Sequence, residues 1–247
     1  TDGTRNICIK YAEKYPEKIR LFLRDRSQTV IKDGDRTIYF NSKLCLKSAR
    51  GKYIALCEGD DYWTDSYKLQ KQVDFLEKHS KCSSVFHWVD WLDQATGNIR
   101  KKIYGPPILK RFYTVDDLLQ YCNFIPTCSV VFRNGVLGDL PDWYFKCPVG
   151  DFPLHIMNAQ KGEIGFIDES MAVYRRHSGG VHGGQDELAS LERRIKVYAM
   201  IANELKYGKH PAFRQGLITQ LNNLSRAVKN APNKKQAKDI IARVIKQ

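Results

Sequence analysis

The passage from Lys52 to His79 constrains this chain more than any other. Residues 53–57, YIALC, run almost without a polar break and read as a buried strand. Residues 64–79, TDSYKLQKQVDFLEKH, set Leu69, Val73 and Leu76 at helical spacing, with Thr64 or Asp65 as N-cap. Between strand and helix, Glu58, Gly59, Asp60 and Asp61 put three carboxylates into four residues. A strand feeding a helix in this way is the repeating unit of a layered α/β fold. A fold gains nothing from anionic charge concentrated at the mouth of an apolar strand, so those carboxylates call for a ligand.

The same alternation runs through residues 1–182. A helix is expected over 4–15, capped by Thr4, with Ile7, Ile9, Tyr11 and Ala12 on its apolar side and Pro16 ending it. Strands are expected at 18–25, 83–92, 127–133, 163–168 and 171–176. Helices are expected at 41–50, at 114–122 with a Thr114–Asp117 capping box, and at 151–160. Residues 140–150 form a loop rich in proline and aromatics, and 177–184, HSGGVHGG, a glycine-rich one. Strand signals stop after Gln185. Two or three basic amphipathic helices follow, with Leu191, Ile195, Tyr198 and Leu205 on one side. The expected division is a catalytic domain at 1–182 and a basic helical extension at 183–247.

Composition excludes several classes. An apolar content of 43% builds a real core, so the chain is not disordered. No apolar run approaches the ~18 residues of a membrane span. Seven scattered cysteines, an odd number without a CxxC pair, point to a reduced, cytosolic protein without a structural zinc site. Of the formal charge of +13, residues 186–247 hold 13 Lys/Arg against 5 Asp/Glu. An acidic partner is therefore sought first at that tail, which offers a peripheral contact with an anionic membrane leaflet. Nucleic acid is not expected as a partner: the tail has few aromatics and no reading motif.

Two adjacent carboxylates beyond a strand end suit a hard divalent cation such as Mg²⁺ or Mn²⁺, with phosphate oxygens and water completing its shell. The plainer alternative is that the acids favour the positive end of the next helix. That alternative explains Asp60 and Asp61 poorly, because Thr64 and Asp65 already supply a cap. Asp151 opens a helix and reads either as its N-cap, as a general base, or as both. His177 alone is an ordinary loop histidine; beside Arg175, Arg176 and four glycines it fits a loop that closes on phosphate. Residues 142–146, DWYFK, fit sugar-stacking aromatics and core equally well. Residues 125–132 read as a core strand, with Thr127 toward an acceptor.

Four segments in order carry a resemblance. GKYIALCEGDDYWTDSYKLQKQVDFLE resembles the acidic metal-site segment of the family 2 glycosyltransferases, which are inverting and have the GT-A fold. TDGT at residues 1–4 resembles the turn after that family's second strand, GDFPLHI its catalytic-base segment, and MAVYRRHSGGV its late YRxH loop. The resemblance implies an α/β GT-A fold, a Rossmann-like and mostly parallel sheet flanked by helices, followed here by a C-terminal helical extension. It implies Asp61 as metal ligand, Asp60 as its neighbour at the ribose or metal shell, and Asp151 as general base. His177 and Arg175 are implied at the diphosphate, with His177 also near the metal. Glu58 stands where many members have Asp.

The implied cofactors are Mn²⁺ or Mg²⁺ and a nucleotide-sugar donor, UDP-sugar by default. The implied acceptor is a glycan or lipid-linked glycan, as in bacterial cell-envelope polysaccharide synthesis, at the cytoplasmic side of the membrane. The resemblance also implies a strand, a helix and a second strand ahead of Thr1, a segment of about 30–50 residues by the length of one crossover unit. Two alternatives stay open on sequence alone: a catalytically inert scaffold of the same fold, and a basic nucleic-acid-binding protein.

Overall fold

The computed structural model describes residues 3–23, 31–32, 35–36, 39–178 and 187–230. The elements begin with α1 (Thr4–Lys14), β1 (Ile31–Lys32), β2 (Asp35–Arg36) and α2 (Tyr39–Ser48). Next come β3 (Tyr53–Ala55), β4 (Tyr62–Trp63), α3 (Lys68–Lys78), β5 (Cys82–Asp93), β6 (Ile99–Tyr104), β7 (Phe112–Tyr113) and α4 (Val115–Tyr121). The last are β8 (Val131–Arg133), α5 (Asp151–Ala159), β9 (Glu163–Arg176), α6 (Glu187–Glu204) and α7 (Pro211–Asn230).

The chain divides into two compact units, Thr1–Ser42 and Lys43–Gln247. In the first, Gly3 caps α1 from the left-handed region (φ 83°), and Thr4 is the first helical residue rather than the cap. The apolar side expected for α1 is not covered: Ile7 and Tyr11 are 58% and 56% exposed. The expected strand at 18–25 is also absent among its described residues, 18–23; residues 24–25 lie outside the described set. A strand needs a neighbour to take its backbone groups, and no described strand pairs with 18–23.

In the second unit the sheet runs β3-β8-β5-β9-β4, with β6 added to β5 and β7 to β9. β5 and β9 are parallel from Cys82 beside Glu163 to Asp93 beside Arg176. Every other described pair in this sheet is antiparallel. The mostly parallel sheet expected from the alternation is therefore a mixed one, for a topological reason. Helices link β5 to β9, whereas β6 folds straight back on β5 through a turn at 94–98. β9 holds one edge of β5, so β8 and β6 take its other edge in succession, at Ser84–Val85 and at Val89–Leu92. On β9 the outer edge is likewise shared by β7 and then β4. This succession curls the sheet.

β9 joins into one strand the two short strands expected at 163–168 and 171–176. Its register against β5 shifts around His87 and Trp88. Conversely, Thr127–Ser129, expected as strand, is a 3-10 turn that delivers the chain to β8.

α3 starts at Lys68, not at Thr64. Asp65 ties the turn ahead of it by accepting from the Tyr67 N–H at 2.7 Å. Its inward face is the expected one only in part: Leu76 is buried and Val73 half-buried as their spacing requires, but Leu69 is not. Leu69 is 41% exposed, while Lys68, Gln72 and Leu76 are buried. The carbonyls of Val85 and Ser129 reach this surface, and the Gln72 amide donates to them at 3.1 and 2.8 Å. Buried carbonyls that need donors thus outweigh the hydrophobic preference for Leu69.

α4 forms as expected. The Thr114 backbone N–H donates to the Asp117 carboxylate at 3.0 Å, and the reciprocal bond completes the capping box. The main core joins sheet and helices: Phe86, Leu118, Leu119, Phe152, Ile156 and Phe166 pack in one cluster with Val197, Tyr198, Ile201 and Phe213. The C-terminal helices thus share the core of the sheet, and no division by contact falls at 182/183. Within α6, Leu191, Ile195 and Tyr198 are buried on one side, as their spacing requires. Residues 231–247 of the basic tail lie outside the described set. No helix among the described residues is long and apolar enough to cross a membrane.

Candidate active site

The carboxylates sit where the chain leaves β3 and turns back into β4. A turn closes the loop, the Asp61 N–H donating to the Glu58 carbonyl at 3.2 Å. β4 then docks antiparallel on the last turns of β9, Tyr62 beside Val173 and Trp63 beside Ala172. This short pairing carries the acid loop to the C-terminal end of β9. There the Arg175 backbone N–H donates to Asp61 Oδ1 at 3.0 Å. His177 Nε2 lies 3.2 Å from Asp60 Oδ2. The Arg175 guanidinium stands 5.6 Å from the centre of the Tyr62 ring, and its buried Nε has no partner among the described residues. Four residues singled out from sequence, Asp60, Asp61, Arg175 and His177, thus meet in one place. The glycine-rich stretch 179–184 lies outside the described residues.

Asp151 is the first residue of α5, with Gly150 at the cap position. Its Oδ1 accepts from the Phe152 N–H at 2.8 Å, and its Oδ2 from the Asn123 side-chain amide at 2.7 Å. Asn123 in turn accepts from the Ile125 N–H at 3.2 Å, so the loop after α4 fixes it.

The acids interact across the site. Glu58 touches solvent at its outer edge, yet protein atoms crowd its other sides. Burial, then Asp61, and further off Asp151, push its carboxyl up to about 7; its bond with the Thr127 side chain pulls the other way. Burial also raises Asp61, an effect opposed by the Arg175 N–H and the Cys128 side chain. Tyr174 looks onto the same cluster. Burial, then Asp61, Asp60 and Glu58, push its phenol up to about 12. Burial raises Tyr104 as well, and the charge of Asp151 adds to it. The two tyrosine rings meet edge-on at 6.1 Å. The result is an anionic floor at 58–61, a carboxylate wall at Asp151, and a phenol wall between them.

Among the described residues no three His, Cys, Asp or Glu side chains converge as a ligand set for a metal ion. The donors present, Asp60 and Asp61 with His177 beside them, therefore fit a hard cation that takes most of its shell from phosphate and water, not a closed protein cage. Neighbouring carboxylates that help to raise Asp61 and Glu58, and an unpartnered buried guanidinium nitrogen, are consistent with a site for a cation and an anion together.

Sequence reasoning missed Asn123 and Tyr104, gave Thr127 no partner, and gave Tyr174, the first residue of the YRxH motif, no role of its own. Asn123, Tyr104 and Thr127 carry no local signal, because each acts on a residue far away in the chain. Of the aromatics at 142–146, Tyr144 is 2% exposed and packs with Phe132 and Leu154, which makes it core.

A curled mixed sheet flanked by helices, with an acid loop beyond the end of β3, is the architecture of the GT-A type of glycosyltransferase. The fold is similar to that of a mannosyltransferase from Pyrobaculum calidifontis in complex with GDP-Man and Mn²⁺, with a TM-score of 0.50 and 15% identity, over 98% of this chain and 66% of that one. The sequence model of glycosyl transferase family 2 matches residues 1–140, and the chain belongs to that family.

Among its relatives is an uncharacterized protein of Mycobacterium tuberculosis, 40% identical over 188 residues, 73% of this chain and 49% of the relative. A candidate teichuronic acid biosynthesis glycosyltransferase of Bacillus subtilis is 32% identical, over 53% of this chain and 45% of its own. The UDP-Glc:alpha-D-GlcNAc-diphosphoundecaprenol beta-1,3-glucosyltransferase of Escherichia coli is 29% identical, over 37% of this chain and 33% of its own. The chain thus spans about half the length of the first of these relatives.

Proposed function

We propose that this chain is the catalytic part of an inverting, metal-dependent glycosyltransferase. It moves a sugar from a nucleotide-sugar, UDP-sugar by default, to a hydroxyl of a glycan or lipid-linked glycan. The observation that carries this reading is the convergence of Asp60 and Asp61 with His177 and Arg175, while Asp151 stands close enough to perturb Glu58. A displacement at an anomeric carbon requires a base on one side and an acid–cation cluster on the other, the roles assigned here to Asp151 and to Asp60, Asp61, Arg175 and His177.

Asp151 takes the proton of the acceptor hydroxyl. Its two oxygens are held by Asn123 and the Phe152 N–H, which fixes the direction of the free lone pairs. Asp61, with Asp60 and His177 beside it, would hold the divalent cation. When bound, that cation offsets the negative charge that grows on the departing diphosphate. Arg175 adds a second cation on the same side. Tyr104 and Tyr174 form the wall between base and acid loop and exclude water from it.

Thermal unfolding with a panel of nucleoside diphosphates, each with and without Mn²⁺, tests the reading. A ligand at 100-fold its dissociation constant stabilises by about 2.7 kcal/mol, which raises the midpoint of a chain this size by roughly 5–10 °C. The expected shift needs both nucleotide and metal and disappears in Asp61→Ala. A shift that survives Asp61→Ala removes the acid loop from the donor site.

A further inference from the structure

The hairpin of β5 and β6 carries a second cavity, outside the acid–base site. It measures about 210 Å³ and is lined by Trp91, Asp93, Thr96, Asn98, Arg100 and Arg176. That is below the ~300–1,000 Å³ of a drug-sized pocket, so it suits a single ring rather than a nucleotide.

Strand register explains its lining. Trp91 lies beside Tyr174 on one neighbour and beside Arg100 on the other, and Asp93 lies beside Arg176. Paired residues share a face of the sheet, and so do alternate residues along a strand. Trp91, Asp93, Arg100, Tyr174 and Arg176 therefore present one face. Tyr104, beside Val89, belongs to it too. That face also carries the tyrosine wall between Asp151 and the acid loop. From Tyr174 to Arg176 the strand advances about 6.6 Å, roughly one sugar ring.

The cavity has the chemistry of a saccharide subsite with an anion hole. The Arg176 guanidinium stands 5.1 Å from the centre of the Trp91 ring, which orients both. The Trp91 indole N–H is inaccessible to solvent and has no partner among the described residues. Among the described residues neither Arg100 nor Arg176 pairs with a carboxylate. Asp93 lines the cavity, but its Oδ1 is engaged by the Ala95 and Thr96 N–H groups at 3.0 and 3.1 Å. An aromatic ring, two guanidinium groups, and an amide and a hydroxyl remain for a ligand, and the two guanidinium groups outnumber the single Asp93 carboxylate.

We propose that this cavity binds an acidic saccharide unit, one sugar beyond the reacting hydroxyl, through the carboxylate or phosphate it carries. The binding site stands on its own geometry; its role as an acceptor subsite rests on the transferase reading above.

The test is a fluorescence and saturation-transfer titration of the full chain with methyl β-D-glucuronide, glucose 6-phosphate, methyl β-D-glucoside and inorganic phosphate. One or both acidic sugars are expected to bind in the millimolar range, and the neutral glucoside at least 10-fold more weakly, since hydrogen bonds to a charged group are the stronger ones. Arg100→Ala, at an exposed position, should weaken the acidic sugar about 10-fold or more. Trp91→Phe, which keeps a ring beside Arg176 and removes only an N–H that the solvent does not reach, should leave the affinity within about two-fold of wild type. Asp61→Ala should leave it unchanged while abolishing the nucleotide shift, so the two proposals fail separately. The inference is overturned if acidic and neutral sugars bind alike, or if affinity is unchanged in Arg100→Ala. Inorganic phosphate binding as tightly as the acidic sugars also overturns it, because it reduces the site to a bare anion hole.

Discussion

Gly216 decides whether the C-terminal helices belong to the catalytic domain. It sits on the buried face of α7 where that helix crosses α4. A Cβ there lands 2.0 Å from the Leu119 carbonyl oxygen and 2.8 Å from the Tyr198 hydroxyl, where ordinary contact begins at 3.4 Å. The first obstacle is backbone and cannot swing aside. The second donates to that same carbonyl at 3.1 Å. Gly216→Ala therefore overpacks the crossing, at about 1–3 kcal/mol. It also loosens a buried hydrogen bond worth about 0.5–1.5 kcal/mol. Against this stands the helical preference for alanine, about 1 kcal/mol. The net expectation is a loss of about 2 kcal/mol, a fall in the unfolding midpoint of about 4–8 °C. Calorimetry on wild type, Gly216→Ala and a control, Gly208→Ala, reads it. The control Cβ meets only the Ala202 methyl, at an ordinary 3.6 Å. If α7 were instead a free helix of a separate extension, only the propensity term would act and the midpoint would rise. A rise in Gly216→Ala would falsify the shared core.

Three further outcomes follow from buried or bonded groups. Burial brings the Lys68 ammonium, 1% exposed, down from 10.5 to about 8. A lysine depressed in the fold costs stability below its folded value, and that cost fades as pH rises from about 8 toward 10.5. Lys68→Met should therefore compare best with wild type near pH 7, and its relative stability should fall by about 2–3 kcal/mol by pH 10; a pH-independent difference in denaturant midpoints contradicts this. Asn123→Ala removes a 2.7 Å bond to the candidate base. A bond to a charged group is worth about 1.5–3 kcal/mol, so turnover should drop at least 10-fold while the nucleotide–Mn²⁺ thermal shift stays as in wild type; single-turnover donor consumption measures it, and unchanged turnover removes Asn123 from the base's support. Tyr198→Phe keeps the ring against Phe152 and loses the hydroxyl's bond to the Leu119 carbonyl and its contact with the Cys122 side chain, which should lower stability by about 1 kcal/mol in urea unfolding; no change would mean that water replaces the bond.

Sequence made legible what is encoded locally. The strand–acid–helix passage marks Asp60 and Asp61 because three carboxylates at a strand end have no local use. The capping box marks α4 because its two bonds span four residues. The parts that failed depend on distant partners. The two-residue strands β4 and β7 are too short for any period to register. β6, IRKKIY, is solvent-facing along most of its length, so its alternation says nothing of a core. On α3 periodicity finds Leu76 but not Gln72, because it counts apolar side chains, whereas two carbonyls from other elements select Gln72. Asn123 is invisible for the same reason: its meaning lies 28 residues away at Asp151.

Those distant dependencies bear on where the function ends along the chain. Asp151 begins α5, and the next residue, Phe152, is 3% exposed with its ring 5.8 Å from Tyr198 on α6. Tyr198 in turn packs 5.3 Å from Phe213 on α7 and donates to Leu119, at the base of the loop that holds Asn123. Both supports of the candidate base, the start of α5 and the Asn123 loop, therefore lean on one tyrosine of the C-terminal helices. A change in α6 that shifts Tyr198 moves the base and its hydrogen-bond donor together. The acid loop is anchored separately, through β4 on β9. Damage to the C-terminal helices should accordingly lower turnover before it touches nucleotide binding, and a variant in which both fell in step would show that the two halves of the site are not independently held.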